Sequence, residues 1–166
     1  MIKRLLPLSI AALLYLTPQS TYAKDYAYAL AGSSNKKSNP LNLCVGVGTS
    51  TDVLDKFLFG IDLNIVLENK NYETGASFTI DRILGYYTLG VAQGVSLIRL
   101  SETTNSPNGS EENFLDGAVF IRPTLSKKLN DKLSLKAIYQ RNHASEQVYR
   151  LGYPQHRFSL GIERLF

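Results

Sequence analysis

Apolar and polar residues alternate along most of this chain with a period of two. The clearest segment covers residues 57–67, where nearly every second side chain is apolar and Asp62 and Asn64 fall between them. Successive side chains of a β-strand point to opposite faces, so such a segment separates an apolar face from a polar one. The pattern predicts an all-β protein.

The same alternation recurs in seven further segments. One of them is a long segment over residues 87–101, where Gln93 interrupts the apolar face and predicts a β-bulge. Eight segments of about ten residues match the strands of the smallest transmembrane barrels. The apolar faces of the other six are Tyr26, Tyr28 and Leu30; Leu41, Leu43, Val45 and Val47; Tyr72, Ala76, Phe78 and Ile80; Leu115, Val119 and Ile121; Leu133, Leu135, Ala137 and Tyr139; and Phe158, Leu160, Ile162 and Phe166.

The connections between segments alternate between turn-like and longer polar stretches. In an antiparallel barrel with an even number of strands, alternate connections lie at opposite ends. With both termini in the periplasm, the longer stretches would face the outside of the cell; the connection at 68–71 is short for that side. The turn-like connections fall near residues 50–55, 81–82 and 126–132, and the longer ones at 32–40, 101–113 and 147–155.

The polar face of the segments carries small residues and charges of both signs, as a narrow polar lumen requires. We expect Asp62, Asp116 and Glu163 to pair there with Arg122 and Lys136. The alternative is a soluble lipocalin-like barrel or β-sandwich, in which the apolar face around Phe59 would point inward. We also expect the glycines of the second segment to make room for neighbouring side chains in a narrow barrel.

Residues 1–23 have the layout of a secretory signal peptide, with Lys3 and Arg4 ahead of a short apolar run and Ala23 at the cut. The alternative is an anchor helix, but the run lacks the roughly 20 apolar residues of a span. Residues 24–166 would then form one domain. Without the signal, 16 basic residues face 14 acidic ones in the 166-residue chain, which does not support a nucleic-acid partner. A single Cys excludes a disulfide scaffold and a zinc ribbon.

As a pattern, the whole chain resembles the small bacterial outer-membrane barrels of the OmpA, OmpX and opacity-protein kind. The resemblance implies an eight-stranded antiparallel up-and-down transmembrane β-barrel, exported through the periplasm to the outer membrane. It implies a monomer without a cofactor, with a structural or surface-interaction role in the envelope. The outward residues of the last segment resemble the signal read by the barrel-assembly machinery: Phe158, Leu160, Ile162 and Phe166.

Segment 139–146 holds the one cluster of catalytic residue types. His143 and Ser145 are two apart on a strand and would share its outward face, as a general base and a hydroxyl nucleophile require. Arg141 would hold a lipid phosphate. The motif is similar to the His-x-Ser motif of the PagL lipid A 3-O-deacylases, which implies lipid A ester hydrolysis. Glu146 stands where that family has Asn.

A lipid A esterase is therefore the alternative function, and it depends on an acidic group reaching His143. In the PagL family that acid lies on the last strand, where this chain offers His156; Glu146 or a neighbouring strand would have to supply it. In the other interpretation the same residues, with Arg157, form a polar outer rim that contacts lipopolysaccharide head groups. His143 and His156 without further ligands make a poor zinc site, so we predict no metal.

Overall fold

A computed structural model describes residues 23–35, 41–54, 56–68, 71–103 and 111–166. The predicted signal peptide lies outside these residues apart from Ala23. So do parts of the predicted connections at 32–40 and 101–113. No helix in the described part of the chain is long and apolar enough to span a bilayer.

The described residues contain eight antiparallel strands that follow one another around a closed barrel. Each strand pairs with its neighbours in the sequence, and the first pairs with the last. A short helix, α1 (Glu146–Arg150), lies between β7 and β8. The prediction of an eight-stranded up-and-down barrel is confirmed. The strands are β1 (Ala23–Ser34), β2 (Leu41–Leu54), β3 (Phe57–Glu68), β4 (Asn71–Leu84), β5 (Tyr87–Thr103), β6 (Glu111–Lys128), β7 (Leu133–Ala144) and β8 (His156–Leu165).

The outward face of the barrel is apolar and the inward face is polar. The outward side chains, which we call the apolar belt, include Phe59, Ile61, Leu63, Phe78, Ile80, Leu89, Val91, Val95, Leu97, Leu115, Val119, Ile121, Leu125, Leu135, Phe158, Leu160 and Ile162. Buried positions inside include Asp62, Glu73, Arg122 and Arg157. The soluble-barrel alternative required the face around Phe59 to point inward, and it is therefore wrong.

The first strand has the opposite orientation to the predicted one. Tyr26, Tyr28 and Leu30 are buried in the lumen, while the small residues Ala29 and Ala31 face outward. The reason lies on β2, because Tyr26 pairs with Gly48 and Tyr28 pairs with Gly46. A Cβ at either glycine would overlap the facing tyrosine ring. The expected role of these glycines, to make room for neighbouring side chains, is confirmed.

Two local expectations are also wrong. The turn expected near residues 81–82 lies at Gly85 and Tyr86, because Asp81 and Arg82 continue the ladder to β5. Gly85 has a φ of 64°, a left-handed conformation that glycine adopts without steric cost. No bulge occurs at Gln93, which pairs in continuous register with β4 and β6 and faces outward.

We call the end of the barrel with the β2–β3, β4–β5 and β6–β7 connections the turn end, and the other the loop end. The loop end carries α1 and the residues that follow it. Val148 of α1 and Tyr153 are buried against Ile98, Leu100 and Ala118 at the mouth of the lumen. The connection between β7 and β8 (residues 145–155), which we call the closing segment, therefore covers the loop end of the lumen.

We predict that Gly48→Ala destabilises the barrel by roughly 1–3 kcal/mol, because the added methyl group overpacks the lumen. Its Cβ would meet the Tyr26 ring and lie 2.7 Å from the Ile61 carbonyl oxygen. Equilibrium unfolding in urea, with the protein in lipid vesicles, measures the effect.

Gly117→Ala is the matched control, since a Cβ there has only the Ser96 carbonyl oxygen near it, at 3.9 Å. It should change the free energy of unfolding by less than about 0.5 kcal/mol. Equal destabilisation by the two variants would contradict the packing of tyrosine over glycine.

Candidate functional site

The centre of the lumen holds a buried ion pair between Arg122 of β6 and Asp62 of β3. Each side chain is 2% exposed, and Arg122 Nη2 donates to Asp62 Oδ1. Arg122 also donates to Ser77 Oγ at 3.1 Å and to Tyr28 Oη at 3.3 Å. The Tyr28 hydroxyl in turn donates to Asp62 at 2.9 Å. The predicted pairing of these two charges is confirmed.

A second pair lies nearer the turn end, where Lys136 of β7 bonds Glu163 of β8. Ser126 donates to the same carboxylate at 3.4 Å. The Lys136 ammonium also lies 4.8 and 4.7 Å from the ring centroids of Tyr26 and Tyr28, where the negative face of an aromatic ring attracts a cation. This predicted pair is confirmed as well.

A third charged cluster lies towards the loop end around Arg157, which is 5% exposed. Its guanidinium bonds Glu73 and lies 3.3 Å from Glu68 Oε2. Gln140 Nε2 donates to Glu73 at 3.2 Å, and the Tyr153 hydroxyl donates to it at 2.7 Å. The expectation that Arg157 contacts lipopolysaccharide at the outer rim is therefore wrong, because its side chain is buried in the lumen. It follows the outward His156 by one residue, and the strand period turns it inward towards two carboxylates.

Tyr153 joins this cluster to the closing segment. Burial raises the pKa of its hydroxyl well above the ordinary value, so the group stays protonated and donates to Glu73. Its ring lies 4.9 Å beneath the Arg157 guanidinium. Sequence reasoning missed Tyr153 because it lies in a connection, where the strand period gives no signal.

The side chains fill the lumen between these clusters. A cavity beside Glu73, Tyr153 and Arg157 and another beside Asp62 and Arg122 each measure about 10 Å³. Such a volume holds about one water molecule. Within the described part of the chain, the arrangement pairs charges inside the barrel, and these two cavities are too small for a solute larger than water.

The predicted catalytic pair lies at the loop end of β7. His143 faces outward there, paired in register with Val119. Ser145 lies beyond the last residue of β7 and caps α1, since its Oγ accepts from the Val148 amide at 3.4 Å. The Ser145 hydroxyl donates to Asp116 Oδ2 at 2.8 Å.

This geometry differs from the sequence expectation in two ways. Ser145 lies beyond the end of β7 and not on the strand, and its hydroxyl donates to a carboxylate and not to the imidazole. Asp116 was expected in a lumen ion pair, but it lies at the loop end and also accepts from the Gly117 amide at 2.7 Å. Glu146 pairs with Arg150 along α1 and is exposed.

Three polar residues near the loop end form what we call the outer rim: Arg141, His143 and His156. Arg141 pairs in register with His156 across β7 and β8. The Tyr139 hydroxyl lies 2.7 Å from His156 Nδ1, and the two rings stack at 5.9 Å. Among the described residues, no group of three or more His, Cys, Asp or Glu side chains comes together to hold a metal ion.

The outward residues of β8 lie on the apolar belt beside the closure with β1. Phe158, Leu160, Ile162 and Phe166 are all exposed. The Arg164 guanidinium lies 5.4 Å over the ring of Phe166, whose amide donates to Asp25 O at 3.0 Å. The last strand thus presents an outward row of apolar side chains, interrupted by Arg164, beside the seam where β8 meets β1.

Comparison with known proteins gives a fold and no closer relationship. No family model and no curated protein matches the sequence. The N-terminal barrel domain of OprF from Pseudomonas aeruginosa is 12% identical, with 86% of this chain and 97% of that chain covered and a TM-score of 0.58. The chain has the fold of the small outer-membrane β-barrels.

Two further solved structures have the same fold. Ail, the attachment invasion locus protein of Yersinia pestis, is 12% identical, with 87% of this chain and 99% of that chain covered and a TM-score of 0.60. Neisserial surface protein A is 17% identical, with 87% and 96% covered and a TM-score of 0.50. Ail has also been solved in complex with the heparin analogue sucrose octasulfate.

We predict that Arg122→Met lowers the free energy of unfolding by roughly 3–5 kcal/mol, because Asp62 is left buried without its counter-charge. Replacing both residues, as Arg122→Met with Asp62→Leu, should recover much of the loss. Urea unfolding in lipid vesicles provides the measurement.

Lys128→Met is the control, since this lysine forms an exposed pair with Asp131 at the turn end. It should cost less than about 1 kcal/mol. If Arg122→Met were no more harmful than this control, the central pair would not organise the lumen.

We also predict that Ser145→Ala weakens the cap of α1 by about 1 kcal/mol and leaves lipid A unchanged. Hydrogen exchange at the Val148 amide measures the first effect. Mass spectrometry of lipid A from cells expressing either protein measures the second. Loss of an ester-linked acyl chain with the wild type alone would instead assign Ser145 as a nucleophile.

Proposed function

We propose that this chain is a bacterial outer-membrane protein that spans the membrane with a sealed lumen and acts at the outer surface of the envelope. The observation that carries the proposal is the apolar belt around a charged, buried interior. Water-soluble barrels require the reverse arrangement, whereas a bilayer requires an apolar outside and paired backbone groups throughout. Export through the periplasm and a monomeric state belong to the same proposal.

A transport role is not supported by this interior. Eight strands enclose a lumen that side chains fill, and here three charged clusters and the closing segment occupy it. The two internal cavities beside these clusters, both lined by described residues, measure about 10 Å³ each. The protein therefore acts through its surfaces, as a structural or interaction component of the envelope.

The outer rim supplies the surface chemistry for contact with lipopolysaccharide. Arg141 faces outward at the loop end and presents a guanidinium, which binds phosphate with paired hydrogen bonds. His143 and His156 lie beside it on the same outward face. Ail, a protein of the same fold, has been solved in complex with the heparin analogue sucrose octasulfate, and we take this as support for an anionic ligand of the present chain.

The geometry does not favour the lipid A esterase. A nucleophilic Ser requires a base that takes its proton, and the Ser145 hydroxyl donates to the Asp116 carboxylate. Ser145 also has a structural role as the cap of α1. We therefore assign Ser145 and His143 no catalytic role, and His143 belongs to the outer rim.

The last strand is proposed to carry the assembly signal. Its outward residues, ending in Phe166, form an apolar edge beside the seam between β8 and β1. An edge of this kind is available to the barrel-assembly machinery before β1 closes the ladder.

We predict that Arg141→Glu weakens binding of lipopolysaccharide micelles to the purified barrel by about tenfold, since each basic residue near an anionic surface contributes about 1 kcal/mol. Lys132→Glu makes the same charge change at the turn end and should leave binding unchanged. Sedimentation with lipopolysaccharide measures both.

Fractionation of expressing cells tests the location separately, with the protein expected in the outer-membrane fraction. Recovery in the soluble periplasmic fraction would contradict the membrane assignment. In the binding experiment, an equal loss of lipopolysaccharide binding by Arg141→Glu and Lys132→Glu would contradict the role of the outer rim.

A further inference from the structure

A groove of about 650 Å³ crosses the outward face of the barrel over β4, β5 and β6, with His143 of β7 at its edge. Its floor is formed by short side chains, since Ala76 and Gly117 stand where the belt elsewhere carries Leu, Ile or Phe. A volume of this size lies within the roughly 300–1,000 Å³ of ligand sites. The belt is therefore not uniform, and this face has a recess.

The recess continues towards the middle of the barrel. A second depression of about 400 Å³ shares Ala76, Val95 and Val119 with the first, and Phe78 and Gln93 lie at its far end. From Leu97 to Gln93 the strand advances roughly 13 Å, at about 3.3 Å per residue. Because the strands of such barrels tilt by about 40°, this advance corresponds to a depth of roughly 10 Å, about two thirds of the roughly 15 Å of one leaflet.

The two ends of the groove differ in polarity. At the loop end His143 lines it directly, and Arg99 occupies the next outward position of β5 beyond Leu97. The Arg99 guanidinium donates to the Tyr72 hydroxyl at 3.0 Å and lies 5.4 Å from the centre of its ring. A cation thus lies beyond the loop end of this shallow, open apolar groove, which is the charge distribution that complements an anionic lipid.

Gly117 keeps this groove open. Of the glycines in the described strands, it alone has no atom within 3.4 Å of the point that a Cβ would occupy; the Ser96 carbonyl oxygen is nearest, at 3.9 Å. The other strand glycines face inward and admit neighbouring side chains or backbone. At Gly117 packing does not require glycine, and a larger side chain would simply fill the groove.

We propose that this groove binds one acyl chain of a phosphate-bearing lipid of the outer leaflet, with the phosphate at the end marked by His143 and Arg99. The proposal rests on the outer-membrane location given above. It differs from the rim contact in its chemistry, because recognition lies in an apolar recess of defined length and not in charge alone.

The test uses purified full-length protein, with lipid A as the probe and native mass spectrometry as the readout. Wild type should retain one lipid A molecule. Gly117→Leu should weaken retention about tenfold, because its side chain displaces buried methylene groups of the lipid. Ala29→Leu adds the same side chain to the outward face of β1, away from the groove, and should bind like wild type.

Folding of each variant is verified by its heat-dependent mobility in gels. Full retention by Gly117→Leu, or equal loss in both variants, would overturn the proposal. If the wild type forms dimers and Gly117→Leu dissociates them, the occupant of the groove is a second copy of the chain and the proposal is wrong. If inorganic phosphate displaces lipid A, recognition lies in the head group alone and the proposal is also wrong. Fractionation decides the membrane location independently, so its failure is distinguishable from that of the groove.

Discussion

Closure of the sheet is the constraint on which the rest of this structure depends. In a bilayer no water pairs with backbone N–H and C=O groups, so a sheet without free edges is required. The pairing of β1 with β8 removes the two edges. Once the ring is closed with eight strands, the lumen has a fixed narrow width, and every inward side chain must fit and find its partners inside it.

Two of the three charged clusters show how the inward side chains find partners. Arg122 and Asp62 neutralise each other at the centre, and the hydroxyl groups of Tyr28 and Ser77 form further hydrogen bonds with the pair. Towards the loop end, Arg157 faces two carboxylates, and Tyr153 of the closing segment supplies a further donor. Buried charges are tolerated only when they are paired and hydrogen-bonded. The same network that stabilises the lumen therefore also seals it.

Because side chains occupy the interior, the proposed function is placed at the outer surface. The outer rim and the groove lie on neighbouring parts of that surface, and His143 belongs to both. The rim offers charge and the groove offers a recess lined by small apolar residues. Their proximity suits a lipid, which carries an anionic head and an apolar chain in one molecule.

The sequence by itself determined the strand count, the meander and the inward position of the four charges that pair as Arg122 with Asp62 and Lys136 with Glu163, because alternation along a strand is a local pattern. It did not determine which acid pairs with which base, and Asp116 was wrongly included. It was ambiguous for β1, where tyrosines alternate with alanines and both faces are apolar. Only the tertiary structure decided that Tyr28 packs over Gly46, that Arg157 turns inward to Glu73, and that Ser145 bonds Asp116. These choices depend on contacts between distant strands, which closure and register fix and the period of a single strand does not encode.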